Sequence, residues 1–209
     1  MMAKYLPTII VDAGHGGIVA GEYVTPGKRS PEYEWGQVFE GVFNRVVAEL
    51  FCELLNAVGV PYFYLDTNND VPLKTRVDIY NQIAKGKGMC YGYSIHANAA
   101  SSPNATGVEV FTYHGQSEAD EMATEWVKRY KVELPGDKMR MDNSDKDPDK
   151  ESGFYILKNT SFPFILVEHL FMTNESDAQR LASSKYQATA ANVLFTSCIE
   201  FLSQKGFEV

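Results

Sequence analysis

The chemistry available to this 209-residue chain rests on four histidines and a set of carboxylates placed at the ends of apolar runs. In open α/β sheets, ligands bind outside the carboxyl ends of the strands. The residues that follow each apolar run are therefore the ones to read. Residues 8–11 lead into Asp12-Ala13-Gly14-His15-Gly16-Gly17, residues 90–95 into His96-Ala97-Asn98-Ala99, and residues 164–167 into Glu168-His169. Three segments would thus deliver imidazole or carboxylate to one sheet edge. Glu40 adds a fourth group, opening a helical pattern in which Phe43, Val47, Phe51 and Leu54 share its face. A carboxylate on a buried stripe is costly unless it is paired or bound to a metal. The plainer reading is an acid favoured by the dipole at a helix start. Two imidazoles and two carboxylates suit a catalytic zinc site, which uses three protein ligands, keeps a position for water and needs a group to move protons. The candidates lie 25 and 56 residues apart and form no compact motif, so spacing alone does not choose among them.

These groups need a scaffold, and the hydrophobic pattern supplies one. Residues 8–11, 62–65, 90–95, 108–113, 154–157 and 164–167 read as short buried strands. Residues 38–58, 73–84, 117 to about 131, and 185–203 read as helices, the first ended by Gly59 and Pro61 and the third opened by a Ser117/Asp120 capping box. Strands alternating with helices predict an α/β fold. It would have three layers, with a mostly parallel sheet of about six strands and helices on both faces, forming one domain over 1–209. The link 158–163 is too short for a helical crossover, so the strands on either side of it are expected to be antiparallel. Segments 16–34 and 134–153 are polar loops by composition: either solvated connections or walls of a cleft.

Composition narrows the classes further. With 19 Lys and Arg against 27 Asp and Glu, the net charge is −8. Such a chain is a poor binder of nucleic acid through bulk charge. Hydrophobic residues at 44% and aromatic residues at 12% can fill a core. No apolar run approaches the roughly 20 residues that span a bilayer, so no membrane insertion is expected. Residues 1–7 lack the apolar region of a secretory signal. As encoded, the chain is expected in the cytoplasm, or in an extracellular or periplasmic location if a signal has been removed. Cys52, Cys90 and Cys198 sit in apolar stretches and read as reduced core thiols.

Several of these segments resemble one enzyme family. Ile10-Val11-Asp12-Ala13-Gly14-His15-Gly16-Gly17 is similar to the opening motif of the zinc-dependent N-acetylmuramoyl-L-alanine amidases of the amidase-3 family, and Ser94-Ile95-His96-Ala97-Asn98-Ala99 to its second histidine motif. Glu40-Gly41-Val42-Phe43-Asn44 lies where the family has its ligand glutamate. Leu166-Val167-Glu168-His169-Leu170-Phe171-Met172-Thr173-Asn174 resembles its C-terminal glutamate motif, and Leu73-Lys74-Thr75-Arg76 its arginine-bearing helix start. The resemblance implies one Zn2+ held by His15, Glu40 and His96, with Glu168 as the catalytic carboxylate. The implied substrate is peptidoglycan or a muropeptide, cut at the amide between the lactyl group of N-acetylmuramic acid and L-alanine. The implied setting is a phage endolysin or a bacterial autolysin, acting on the bacterial cell wall after release.

The sequence also departs from that pattern. Leu170 stands where the family commonly has Gly, and Gly41 where it commonly has Lys. Leu170 motivates a rival reading, a zinc peptidase or deacylase acting on another amide. A third reading is an inactive peptidoglycan-binding module, against which the presence of all four site residues argues. Asn98 and His114 are candidate substrate-binding residues, and Tyr23, Tyr33 and Trp35 could pack on sugar or peptide. Asp12 is either a partner behind a ligand histidine or a purely structural acid. His169 should point away from its neighbour Glu168 if the strand pattern persists.

Overall fold

The six residues of β1 (Thr8–Ala13) are all buried, and alternate side chains enter opposite faces of a sheet. Ile9 and Val11 join one apolar cluster and Ile10 the other. This two-sided burial is what a continuous apolar run predicts for a central parallel strand. The computed structural model describes residues 5–144 and 146–209. After β1 come a small hairpin, β2 (Ile18–Val19) and β3 (Glu22–Tyr23), then α1 (Glu40–Ala57), β4 (Tyr62–Tyr64), α2 (Leu73–Lys87), β5 (Cys90–Asn98) and β6 (Glu109–Thr112). The chain continues through α3 (Glu118–Glu133), β7 (Lys150–Glu151), α4 (Tyr155–Asn159), β8 (Phe164–Phe171), α5 (Glu175–Leu181) and α6 (Ser184–Gln204).

The main sheet has six strands in the order β4-β1-β5-β8-β6-β7. The first four run parallel. β6 is antiparallel to β8, and β7 follows β6 in parallel. On one face α1, α3 and α6 bring Phe51, Trp126 and Phe201 onto Ile9, Tyr93 and Ile165; on the other α2 and α4 bring Val77, Tyr80 and Ile156 onto Ile10 and Phe164. Burying each such side chain stabilises the fold by about 1.5–3 kcal/mol. The expected three-layer, mostly parallel α/β architecture is therefore observed. The Ser117 hydroxyl and Asp120 carboxylate form the expected capping box on α3. Among the described residues no helix is long and apolar enough to cross a membrane, and all three cysteines are free and buried.

Two expectations are corrected. Residues 154–157 form no strand; Tyr155–Asn159 is helix α4. A four-residue apolar run has no period that separates strand from helix. The antiparallel pair is consequently β6 with β8, and the sixth strand is the polar β7. Strands β5 and β8 also run further than their apolar cores suggest, so His96 and Glu168 lie within them.

Candidate active site

Each proposed ligand is set by a different element. His15 follows β1 in a left-handed backbone conformation (φ 65°), which histidine tolerates better than most residues. Its loop is fastened from α1: Asn44 Nδ2 donates to the Gly14 carbonyl at 3.0 Å and Arg45 Nη2 to the His15 carbonyl at 2.8 Å. Arg45 also reaches the Gly41 carbonyl through Nη1 at 2.8 Å. Gly14 lies so close to His96 that a β-carbon there would overlap the imidazole, and one on Gly41 would overlap the Gly16 carbonyl. The glycine at position 41, where the resembled pattern has Lys, thus lets the His15 loop lie against the start of α1.

Glu40, the first residue of α1, sits between the two imidazoles. Its Oε1 is 3.2 Å from His15 Nε2 and 2.9 Å from His96 Nδ1. One ligand atom from each of His15, Glu40 and His96 falls within 4.8 Å of the others. Burial alone would raise the Glu40 pKa, but hydrogen bonds and charge from His15 and His96 outweigh it and hold the carboxyl well below its usual range. Burial would lower the His96 pKa, and Glu40 and Glu168 reverse that. The donor set fits zinc, which takes imidazole nitrogen and carboxylate oxygen and leaves its fourth position open in catalytic sites.

Glu168 is the direct cross-strand neighbour of His96. Burial, reinforced by the Glu40 charge, pushes its carboxyl up to about 7, and its Oε2 has no hydrogen-bond partner among the described residues. His169, one residue on, points to the opposite face as expected, fully buried against Phe43, Trp126 and Tyr186. Asp12 contacts neither histidine directly. It accepts from Arg76 at 2.6 Å, Tyr80 at 2.7 Å and Ser94 at 2.6 Å, so the arginine at the start of α2 neutralises a buried acid beneath the site. Burial pushes the Asp12 pKa up, but Arg76, Ser94 and Tyr80 together hold it below normal.

His15, Glu40, His96 and Glu168 line a cleft of about 420 Å³ that also includes Lys28, Asn98, Phe154 and Tyr155. Asn98 is there as expected, its Oδ1 accepting from Ala99 N at 2.8 Å. His114 is not. It follows β6, which runs opposite to β5 and β8, and meets Glu151 away from the cleft. Tyr23 packs on Phe39 at 4.7 Å between ring centroids, and Tyr33 stacks on Trp35 while its hydroxyl donates to the Met172 carbonyl at 3.0 Å. These three rings build the segment before α1, and none of them lines the cleft. The aromatic wall comes from Phe154 and Tyr155 instead, which a strand over 154–157 would not have turned together toward the cleft.

The chain is similar to known proteins over most of its length. Residues 9–198 match the family Amidase_3, N-acetylmuramoyl-L-alanine amidase. The germination-specific N-acetylmuramoyl-L-alanine amidase of Bacillus subtilis (strain 168) is 27% identical over 115 residues, 54% of this chain and 45% of that protein. N-acetylmuramoyl-L-alanine amidase LytC of the same organism is 26% identical over 195 residues, 93% of this chain and 35% of that protein. The match thus spans less than half the length of either relative. Among solved structures, N-acetylmuramoyl-L-alanine amidase AmiC2 of Nostoc punctiforme superposes with a TM-score of 0.74 at 26% identity, covering 94% of this chain and 97% of that one. With the family matched over nearly its whole length, the chain belongs to the N-acetylmuramoyl-L-alanine amidases of the Amidase_3 family.

Proposed function

We propose that this chain is a zinc amidase that hydrolyses the bond between N-acetylmuramic acid and L-alanine in peptidoglycan, in a lytic, endolysin-like or autolysin-like role. The observation that carries the reading is the convergence of His15, Glu40 and His96 beside a partnerless Glu168 carboxylate oxygen.

The residues divide the work. A zinc ion, once bound, would supply Lewis-acid chemistry for the substrate carbonyl and for water. His15, Glu40 and His96 would hold it, with Glu40 ionised to offset its charge. Glu168, held near neutrality, is suited to take a proton from the attacking water and return it to the leaving amine of L-alanine. The Asp12–Arg76 pair keeps a further negative charge from adding to those of Glu40 and Glu168. Lys28, Asn98, Phe154 and Tyr155 offer one cation, one amide and two rings to the sugar and stem peptide.

The test is product analysis of peptidoglycan digested by zinc-loaded protein. A free lactyl carboxyl and a new L-alanine amine, abolished by EDTA and restored by zinc, are expected. Release of a different amine would favour the peptidase or deacylase reading, and no cleavage with zinc bound would refute hydrolysis.

A further inference from the structure

A second group of acids lies away from the cleft. Asp120, Asp147 and Asp149 each offer a carboxylate oxygen, and these atoms fall within 4.8 Å of one another. Asp120 comes from the first turn of α3, and Asp149 immediately precedes β7. Asp149 is buried to 1% exposure, yet only one of its oxygens is hydrogen-bonded, accepting from the Thr112 hydroxyl at 2.6 Å. Asp147 likewise accepts through Oδ2 alone, from Gln116 Nε2 at 2.8 Å. Oδ1 of both residues is buried with no hydrogen-bond partner among the described residues. A buried carboxylate oxygen left this way is costly.

Three basic side chains near this edge of the sheet pair with other acids. Arg140 and Lys150 both pair with Glu109, and His114 with Glu151. Asp120 keeps its capping role through Ser117 N. Burial pushes the Asp149 carboxyl up to about 7; the crowding Asp147 carboxyl adds to this and the Thr112 hydrogen bond opposes it.

We propose that Asp120, Asp147 and Asp149 form a structural calcium site at the sheet edge remote from the cleft. The donors are oxygen only, with no His or Cys, which selects a hard cation over zinc. Oxygens up to 4.8 Å apart fit around Ca2+, whose ligands sit at about 2.3–2.6 Å, so opposite ligands are about twice that distance apart. The location follows from strand direction. Glu109 of β6 pairs with the cleft residue Glu168, and Thr112 lies further along β6, toward the start of β8. Binding there would tie β7 to α3 and β6. The chain from β7 runs directly into Phe154 and Tyr155, so the site would also anchor one wall of the cleft.

The experiment titrates zinc-loaded protein with CaCl2 by calorimetry and follows thermal unfolding in parallel. One equivalent of Ca2+ should bind and raise Tm. Asp147→Asn and Asp149→Asn should each weaken binding about tenfold or more, because removing a charged ligand lowers calcium affinity. His96→Ala should leave calcium binding unchanged, separating this site from the zinc site. If Asp149→Asn does not fold, the more exposed Asp147→Asn carries the test. No heat and no Tm shift up to about 10 mM Ca2+, beyond the usual range of weak extracellular sites, would overturn the proposal. So would calcium binding unchanged by the substitutions. A Tm raised by Asp→Asn without any calcium response would also overturn it, showing that the two carboxyls share a proton.

Discussion

Leu170 sets packing against backbone strain, and the balance can be measured. In β8, His169 pairs with Ala97 and Phe171 with Asn98, which leaves Leu170 as the extra residue of a bulge. Its φ is 36°, in the region that favours glycine, which accounts for the Gly commonly found there in the resembled pattern. Its side chain is 1% exposed and belongs to the larger core cluster. Leu170→Ala removes the packing but keeps a β-carbon, and should cost about 2–5 kcal/mol. Leu170→Gly loses the same packing but releases a left-handed strain of about 1–2 kcal/mol. Glycine's greater freedom in the unfolded chain offsets about 0.5–1 kcal/mol of that release. The glycine variant should therefore be more stable than the alanine variant by about 0.5–1 kcal/mol, the reverse of the usual order. Both should be less stable than the parent protein. Urea unfolding of all three proteins decides the matter. Alanine equal to or better than glycine would refute the strain, and either variant matching the parent would refute the packing term.

Other outcomes follow from the site and its supports. Glu168→Gln should cut amide hydrolysis by about 10²–10⁴-fold while zinc content, read by metal analysis, stays at one equivalent. Gly41→Ala should push the His15 loop off α1, costing about 1–3 kcal/mol and weakening zinc retention in a chelator competition. Burial pushes the His169 pKa down from 6.5 to about 3, so this residue stays neutral in the fold while the unfolded chain takes up a proton. Stability should then fall as pH drops from 6.5 toward 3, by up to about 1.4 kcal/mol per pH unit from this group. His169→Gln should flatten that slope in pH-dependent urea unfolding; an unchanged slope would show that other groups set it.

The site was legible where a functional residue ends a strongly apolar strand. His15, His96 and Glu168 could be placed at one sheet edge because β1, β5 and β8 are unmistakable runs of buried residues. Strand direction was not legible, and that misplaced His114: nothing in residues 109–112 tells that β6 runs against β8. The Phe154–Tyr155 wall is illegible for a related reason, since a short apolar segment takes its conformation from tertiary packing and not from its own pattern. Lys150 and Glu151 form a strand only because β6 offers them a free edge. α5 is a seven-residue helix whose main local signal is the Asn174 cap accepting from Asp177 N. Leu170 shows the limit most clearly, because a positive φ at a leucine is imposed by the register of β5 against β8 and leaves no trace in composition.

The sheet order has a consequence for how the molecule assembles. β8 is the last strand to be synthesised, yet it lies between β5 and β6. Until about residue 171 is available, the inner edges of β5 and β6 stay unpaired, and β6 with β7 has nothing to dock on. Closure therefore depends on late, long-range pairing, which slows folding and exposes sticky edges in the meantime. His15, Glu40 and His96 all precede that step, whereas Glu168 arrives with the closing strand itself. A nascent chain halted before residue 164 could gather its metal ligands, but it would lack both the proton-transfer group and the strand that buries them. Aggregation of such fragments, and a slow phase in refolding, are the costs of placing the last-made strand at the centre.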